Sequence, residues 1–246
     1  MKRSPFIALI LCALMPAVCA SAKVKVTRST FDYGDTTRTY YSFVPDVPGP
    51  LPLVVLLHGS GRDGAVMAEA WKDLAQREHF MIVAPDAHNT AFWDLDYDSP
   101  GFIHAVVDQV KAMHAVDEDR IYLFGHSAGA VFGLILALVD SEYFAAIAVH
   151  AGALWPDNYR FFDAATRKMP VAIWVGSRDQ SFSVEDVTAT KRAFDGHGFH
   201  LELSVLQGET HNYDNFSEEL DNKAWTFLKD KRLNSPDPAK PQSLSP

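Results

Sequence analysis

Five short runs of consecutive apolar residues constrain the fold of this chain more than any other feature of its sequence. They occupy residues 53–57, 81–84, 121–124, 145–149 and 171–175. Strands that are buried on both faces of a sheet show this continuous pattern, whereas half-exposed strands alternate apolar with polar residues. A sixth run, 201–206, does alternate, which is typical of a strand near the edge of a sheet. The sequence therefore predicts a central sheet with a buried middle.

Stretches with helical character separate these runs. They cover residues 64–78, 102–115, 129–140, 184–195 and 214–230. A repeated order of strand and helix predicts a mostly parallel sheet with helices on both faces and right-handed crossovers. Ahead of it, strand formers at 23–28 and 38–44 flank the turn-like segment 33–35, which predicts a hairpin-like pair. The expected fold class is α/β, in one domain.

The two ends of the chain differ from this pattern. Lys2 and Arg3 precede an apolar run over 6–18 that ends in small residues, which predicts a secretory signal peptide over 1–22. Cleavage near Ala20 or Ala22 would leave a secreted or periplasmic protein without a stable membrane anchor, since the run is short for a bilayer span. The folded domain is then 23–233, and the proline-rich segment 234–246 is predicted to be a disordered tail.

Removal of the signal peptide changes the chemistry of the mature chain. Both cysteines, Cys12 and Cys19, would be lost, so neither a disulfide nor a cysteine–metal site is expected. The formal charge of −9 would become −11, because Lys2 and Arg3 are also removed. A chain this acidic, with no basic cluster, is not expected to bind nucleic acid.

One acidic segment, 94–98, resembles the start of a calcium-binding loop. The match fails further on, because Ser99 occupies the glycine position and Ala105 the position of the terminal glutamate. The sequence also has no H-E-x-x-H motif and no phosphate-binding glycine loop. We therefore expect neither a metal ion nor another cofactor.

The segment 125–129 reads Gly-His-Ser-Ala-Gly and lies between a buried strand and an apolar helix. In this position G-x-S-x-G forms a tight turn that lifts the serine hydroxyl clear of the sheet. Glycine on each side allows the helix and the strand to approach closely, and the helix start offers free N–H groups to an oxyanion. The motif in this context predicts that Ser127 is a nucleophile, against the alternative of a tight structural turn.

A serine hydroxyl needs a base, and the chain has ten histidines. His211 follows the last predicted strand and precedes the last helix, which is the place of the histidine in a chain ordered serine, acid, histidine. Loops at the carboxyl ends of parallel strands share one rim of the sheet, so His211 is expected to reach Ser127. His197 and His200 precede that strand and are expected at its other end.

Asp179 follows the buried run 171–175 and is the expected third member, which would orient His211. An alternative role for Asp179 is to cap or turn the chain before the next helix. Asp86 and Asp214 are the reserve candidates for the acid.

The segment 58–61, His-Gly-Ser-Gly, follows the first buried strand. A loop at this place supplies one oxyanion donor, and the residue after the nucleophile supplies the other. The expected donors are the backbone N–H groups of Ser60 and Ala128. Gly61 is the alternative to Ser60, which would then be an ordinary loop residue.

Three of these segments, 53–59, 117–129 and 176–179, together resemble the α/β-hydrolase esterases, and most closely the poly(3-hydroxybutyrate) depolymerase/feruloyl-esterase-like branch. The resemblance covers residues 38–230 and implies an α/β-hydrolase fold that hydrolyses carboxylic esters, with Ser127, Asp179 and His211 as the catalytic triad. The depolymerases often have cysteine after the His-Gly pair, where this chain has Ser60, so the resemblance does not extend to polymer degradation in particular.

About 50 residues separate Ser127 from Asp179, which leaves no room for a large lid domain. Trp93, Tyr97 and Trp155 follow predicted strands and are expected to line a substrate pocket, with packing onto the core as the alternative. The expected protein is a secreted serine esterase that acts by a two-step acyl-enzyme mechanism on short-acyl, aryl or polysaccharide-linked esters. The alternatives are a prolyl-oligopeptidase-like serine peptidase and an inactive α/β-hydrolase that binds a ligand. The oligomeric state is not predicted.

Overall fold

The computed structural model describes residues 25–233, and the predicted signal peptide and tail lie outside these residues. The strands of this part are β1 Thr27–Tyr33, β2 Thr36–Phe43, β3 Leu51–Leu57, β4 Met81–Pro85, β5 Val116–His126, β6 Ala146–His150, β7 Val171–Gly176 and β8 Leu201–Leu206. Its α-helices are α1 Gly64–Glu78, α2 Pro100–Lys111, α3 Ala128–Val139, α4 Val184–Gly196 and α5 Ser217–Leu228. Short 3₁₀ helices cover Pro156–Ala164 and Tyr213–Asn215.

The strands form one sheet in the order β1-β2-β4-β3-β5-β6-β7-β8. β2 pairs antiparallel with β1 and β4, and every other pair in the sheet is parallel. The expected mostly parallel sheet is confirmed, as are the hairpin at the start and the edge position of β8. The first strand runs over 27–33, later than the expected 23–28, so that its end meets the turn at Gly34.

Helices cover both faces of the sheet, as the strand–helix order predicts. Successive residues of a strand point to opposite faces, so Leu53, Val55 and Leu57 contribute to one core. Val54 and Leu56 contribute to the other. The first core is closed by α2, α3 and α4, and the second by α1 and α5. Buried strands between two helical layers explain the continuous apolar runs.

Between Ser127 and Asp179 the chain forms α3, β6, the 3₁₀ helix Pro156–Ala164 and β7. These elements fill the interval, so no large lid domain is inserted between the two residues. A sheet of this order, with a strand–serine–helix turn at its centre, is the α/β-hydrolase fold. Within residues 25–233, no helix has the length and apolar character that a membrane span requires.

Candidate active site

The turn between β5 and α3 holds Ser127 in an unusual backbone conformation. Its φ is 55° and its ψ −117°, whereas residues with a side chain rarely adopt positive φ. The N–H of Ser127 donates to the carbonyl oxygen of His150 on the neighbouring strand β6, at 3.0 Å. A strained residue that is held in place by its surroundings is typical of functional sites.

Two glycines make this turn possible. A Cβ at Gly125 would stand 2.4 Å from the carbonyl oxygen of Gly129, inside the van der Waals contact distance. A Cβ at Gly129 would stand 2.2 Å from the carbonyl oxygen of Leu57, at the end of β3. The first turn of α3 therefore packs directly on the backbones of β5 and β3, and only glycine fits at either position.

Three side chains from three loops meet above this turn. Nε2 of His211 lies 2.9 Å from Oγ of Ser127, and Nδ1 of His211 lies 2.9 Å from Oδ2 of Asp179. Ser127 follows β5, Asp179 follows β7 and His211 follows β8. The structure thus brings together the nucleophile, base and acid that the sequence predicts, in the order and spacing that proton transfer from the serine requires.

Asp179 is fixed by its own loop as well as by His211. Its carboxylate is fully buried, and Oδ1 accepts the backbone N–H groups of Ser181 at 2.8 Å and Phe182 at 2.9 Å. Asp179 therefore also has the turn role that was the alternative. Oδ1 stabilises the turn, and Oδ2 contacts His211. Such contacts hold Oδ2 at a constant distance from the imidazole.

The reserve carboxylates lie elsewhere. Asp86 accepts the backbone N–H of Gly64 at 2.8 Å, and burial raises its pKa. Asp214 forms a surface ion pair with Arg62. Within residues 25–233, neither carboxylate forms a hydrogen bond or ion pair with His211, and Asp179 is the carboxylate that does.

Ser60 and Ala128 line the same cavity as Ser127. Within residues 25–233, the backbone N–H of neither residue donates to a protein acceptor. The alternative donor, Gly61, gives its N–H to the carbonyl oxygen of Thr90 at 2.7 Å. Of the two loop candidates, Ser60 is therefore the one with an N–H that is free to bind an oxyanion.

Buried His58 holds the loop that carries Ser60. Its Nδ1–H donates to the carbonyl oxygen of Gly59 at 2.9 Å, and its Nε2 accepts the N–H of Ala87 at 3.0 Å. Burial lowers its pKa, in keeping with a neutral ring that donates at one nitrogen and accepts at the other. His58 thus connects the loop that carries Ser60 with the loop after β4.

An aromatic cavity of about 600 Å³ opens beside Ser127. Two of the predicted pocket residues, Trp93 and Trp155, line it. Trp93 also donates its indole N–H to the carbonyl oxygen of His58 at 2.9 Å, so the wall of the cavity and the oxyanion loop are connected. Further walls come from Phe92, Phe132, Phe161 and Phe182.

The third predicted pocket residue, Tyr97, does not line this cavity, and that expectation was wrong. Its ring stacks on His88, with the ring centroids 4.5 Å apart. The cause is a buried ion pair of Arg38 with Asp98, at 2.5 Å, in which Arg38 also donates to the carbonyl oxygen of Tyr97. This pair holds the end of the loop against Arg38 of β2.

Sequence reasoning missed several residues of the cavity wall. Phe182 stacks on the His211 ring, with centroids 5.8 Å apart, and its position three residues after Asp179 was a usable signal. Phe132 lies in α3, which is apolar on all sides, so no pattern distinguishes its cavity face. Phe161 lies in the 3₁₀ helix after Trp155, which the sequence did not predict.

The acidic segment 94–98 is used for structure. Asp98 pairs with Arg38, and its two oxygens also accept the N–H groups of His88 and Asp94. In the part of the chain that the structure describes, no cluster of three or more His, Cys, Asp or Glu side chains has the geometry to hold a metal ion.

Comparison with known proteins places this site in a family. A poly(3-hydroxyalkanoate) depolymerase C of Paucimonas lemoignei is 30% identical over 151 residues, which cover 55% of this chain and 36% of the relative. A poly(3-hydroxybutyrate) depolymerase of Ralstonia pickettii is 26% identical over 186 residues, which cover 62% of this chain and 38% of the relative. The chain thus spans less than two fifths of the length of these relatives.

A solved structure of a ferulic acid esterase matches with a TM-score of 0.68 at 15% identity, over 83% of this chain and 98% of that one. At this identity the match shows the shared fold. The family model described as "Esterase PHB depolymerase" matches residues 44–213, which is more than half of the chain and includes Ser127, Asp179 and His211. The chain therefore belongs to the esterase PHB depolymerase family.

Proposed function

We propose that this protein is a serine hydrolase of carboxylic esters. The observation that carries the proposal is the continuous hydrogen-bonded chain from Ser127 through His211 to Asp179. This chain opens on a cavity lined by Ser60 and Ala128, whose backbone N–H groups have no protein acceptor within residues 25–233. A neutral imidazole next to a serine hydroxyl can take its proton, and the buried carboxylate stabilises the imidazolium that forms. Family membership supports the same activity.

The reaction proceeds in two acyl transfers. Oγ of Ser127 attacks the ester carbonyl carbon while Nε2 of His211 takes the hydroxyl proton, and the N–H groups of Ser60 and Ala128 stabilise the oxyanion. The bond from carbon to the alcohol oxygen then breaks, and the alcohol leaves with the proton from His211. Water attacks the acyl-enzyme by the same route, which releases the acid and restores the serine.

The substrates that fit are short-acyl, aryl or polysaccharide-linked esters. The aromatic cavity beside Ser127 favours an apolar or aromatic acyl group, because the ring faces remove its surface from water. The absence of an inserted domain between Ser127 and Asp179 leaves the entrance open to a bulky alcohol, such as a polysaccharide.

The test uses the protein without residues 1–22 and three substrates, the p-nitrophenyl esters of acetate, butyrate and octanoate. We expect hydrolysis by the wild type and its loss in Ser127→Ala. Ser204→Ala is the control, since this serine is exposed on the edge strand β8. Full activity in a folded Ser127→Ala variant would reject the proposal. Absence of ester turnover, with labelling of Ser127 by a fluorophosphonate, would favour a peptidase, and absence of both would favour an inactive binding protein.

The proposal includes export, which rests on the basic start and apolar run of the first 22 residues. Expression of the full chain in a bacterial host, followed by mass spectrometry of the exported protein, tests it. We expect a mature N-terminus at Ser21 or Lys23. An uncleaved chain that stays inside the cell would contradict it.

A further inference from the structure

A second cavity, of about 620 Å³, also borders Ser127. Ser60, Ser127 and Ser181 border both cavities, whereas His211 borders only this one. Its other walls are polar and include Asn212 and the surface ion pair of Arg62 with Asp214. The nucleophile therefore stands between an aromatic space and a polar space.

The chemistry of the proposed reaction assigns a part of the substrate to each space. His211 returns its proton to the leaving oxygen, so the alcohol must lie within reach of Nε2 of His211. The alcohol then occupies the polar cavity that His211 borders, and the acyl group extends into the aromatic cavity. This assignment rests on the proposed function.

His126 is a wall of the polar cavity that the catalytic steps do not use. Its ring lies beside His211, with centroids 5.1 Å apart, and its Nδ1 is 3.0 Å from Nδ1 of His150. Nε2 of His126 makes no hydrogen bond within residues 25–233, and this atom is not fully buried. His126 thus lines the space assigned to the alcohol and has a ring nitrogen with an open hydrogen-bonding position.

The surroundings keep this mostly buried imidazole uncharged. Burial lowers the pKa of His126 to about 4, so the ring is neutral near pH 7. Gly59 has no side chain over the ring edge next to Nε2, where a Cβ would stand 3.0 Å from Cδ2. A neutral imidazole nitrogen pairs well with a hydroxyl, which donates or accepts as the tautomer requires.

We propose that Nε2 of His126 hydrogen-bonds a hydroxyl on the alcohol part of the substrate, which makes His126 a specificity-determining residue for esters of hydroxyl-rich alcohols. The contact lies on the leaving-group side, in the cavity that His211 borders. The contact favours esters whose alcohol part carries further, unesterified hydroxyls. It does not raise kcat/KM for esters of a plain alkyl or aryl alcohol.

The experiment compares two acetates that differ only in free hydroxyls, 2,3-dihydroxypropyl acetate and propyl acetate. We expect the wild type to prefer the dihydroxypropyl ester in kcat/KM, and the ratio of the two values to be the readout. His126→Asn keeps a polar atom near Nδ1, where it meets His150, and loses the one at Nε2. We expect this variant to lower the ratio about fivefold, in line with the loss of one hydrogen bond.

His126→Gln is the matched variant, because its amide reaches the position of Nε2 and gives up the contact with His150. We expect it to keep most of the wild-type ratio. If the role of His126 is purely structural, His126→Gln should lower the ratio more than His126→Asn, or both esters should lose kcat/KM equally. Either result overturns the inference. Equal kcat/KM of the wild type for the two esters also overturns it while leaving the proposed function intact. Turnover of neither ester contradicts the proposed function itself.

Discussion

The carboxylate of Asp179 contacts the imidazole of His211 at 2.9 Å from a fully buried position. An amide in its place accepts the same loop N–H bonds but cannot hold the imidazole in the tautomer that receives the serine proton. We therefore expect Asp179→Asn to lower kcat by about 10³- to 10⁴-fold with little change in folding. Steady-state kinetics with p-nitrophenyl butyrate measure the effect.

The control is Asp195→Asn, which removes an exposed carboxylate that pairs with Lys191 on α4. Because surface ion pairs contribute little to stability, we expect this variant to fold like the wild type and to keep wild-type kinetics. An Asp179→Asn variant that keeps more than a tenth of the wild-type kcat would show that another group orients His211.

Two glycines with opposite surroundings test the packing of the serine turn. A Cβ at Gly129 would overlap the backbone of β3, so we expect Gly129→Ala to lower the free energy of unfolding by at least about 2 kcal/mol. Gly196, at the end of α4, has no atom within 4 Å of its Cβ position. We expect Gly196→Ala to raise the free energy of unfolding by about 0.5 kcal/mol. Urea unfolding of both variants is the measurement, and equal effects would show that α3 does not rest on β3 as described.

The buried histidine pair makes stability depend on pH. Burial lowers the pKa of His150 to about 2, whereas the unfolded chain has its ordinary value of 6.5. Between these two values the unfolded state binds a proton that the folded state does not bind, so the free energy of unfolding falls as the pH falls below about 6.5. The slope for one such proton is up to about 1.4 kcal/mol per pH unit.

His150→Asn removes the side chain that binds this proton in the unfolded state. We expect its free energy of unfolding to fall less steeply than that of the wild type between pH 6.5 and 4.5, in urea titrations at several pH values. His114→Asn replaces an exposed histidine and should leave the slope unchanged. Identical slopes for the wild type and His150→Asn would mean that the pKa of His150 is the same in the folded and unfolded states.

Two exposed aromatic residues, one in the aromatic cavity and one outside it, test which surface contacts a long acyl chain. Trp155 is 46% exposed and lines the aromatic cavity, whereas Tyr97 is 56% exposed and lies outside it. Trp155→Ala removes apolar surface that a long acyl chain contacts and an acetyl group does not reach. We expect it to lower the ratio of kcat/KM for p-nitrophenyl octanoate over acetate by about fivefold.

Tyr97→Ala should leave this ratio within about twofold of the wild type, since its ring stacks on His88 rather than on substrate. A comparable change of the ratio in both variants would show that the long acyl chain follows another path over the surface.

The strand–helix order and the position of Ser127 could be predicted because they depend on local patterns. Continuous apolar runs predict strands that are buried on both sides, and each of the five runs coincides with a strand of the structure, with only Ala145 outside its strand. The rim on which Asp179 and His211 meet follows from the parallel sheet alone, without any knowledge of strand order.

The surroundings of the site could not be predicted in the same way. The contact of His126 with His150 depends on β5 and β6 being neighbours with these residues in register, which no local pattern specifies. The position of Tyr97 depends on an ion pair between Arg38 and Asp98, which are 60 residues apart in the chain. Long-range contacts of this kind decide which way a loop side chain points.

The loop after β4 and the 3₁₀ helix Pro156–Ala164 form two walls of the aromatic cavity, and neither contributes a member of the Ser127–His211–Asp179 chain. These segments can vary in length and sequence while the nucleophile stays where the glycine contacts hold it. New acyl preferences are thus open to this protein by loop exchange, in evolution or in engineering. A replacement for the loop after β4 must reproduce its bonds to the loop that carries Ser60. These are the bond from the Trp93 indole to the His58 carbonyl, the bond from the Ala87 N–H to the His58 ring and the bond from the Gly61 N–H to the Thr90 carbonyl.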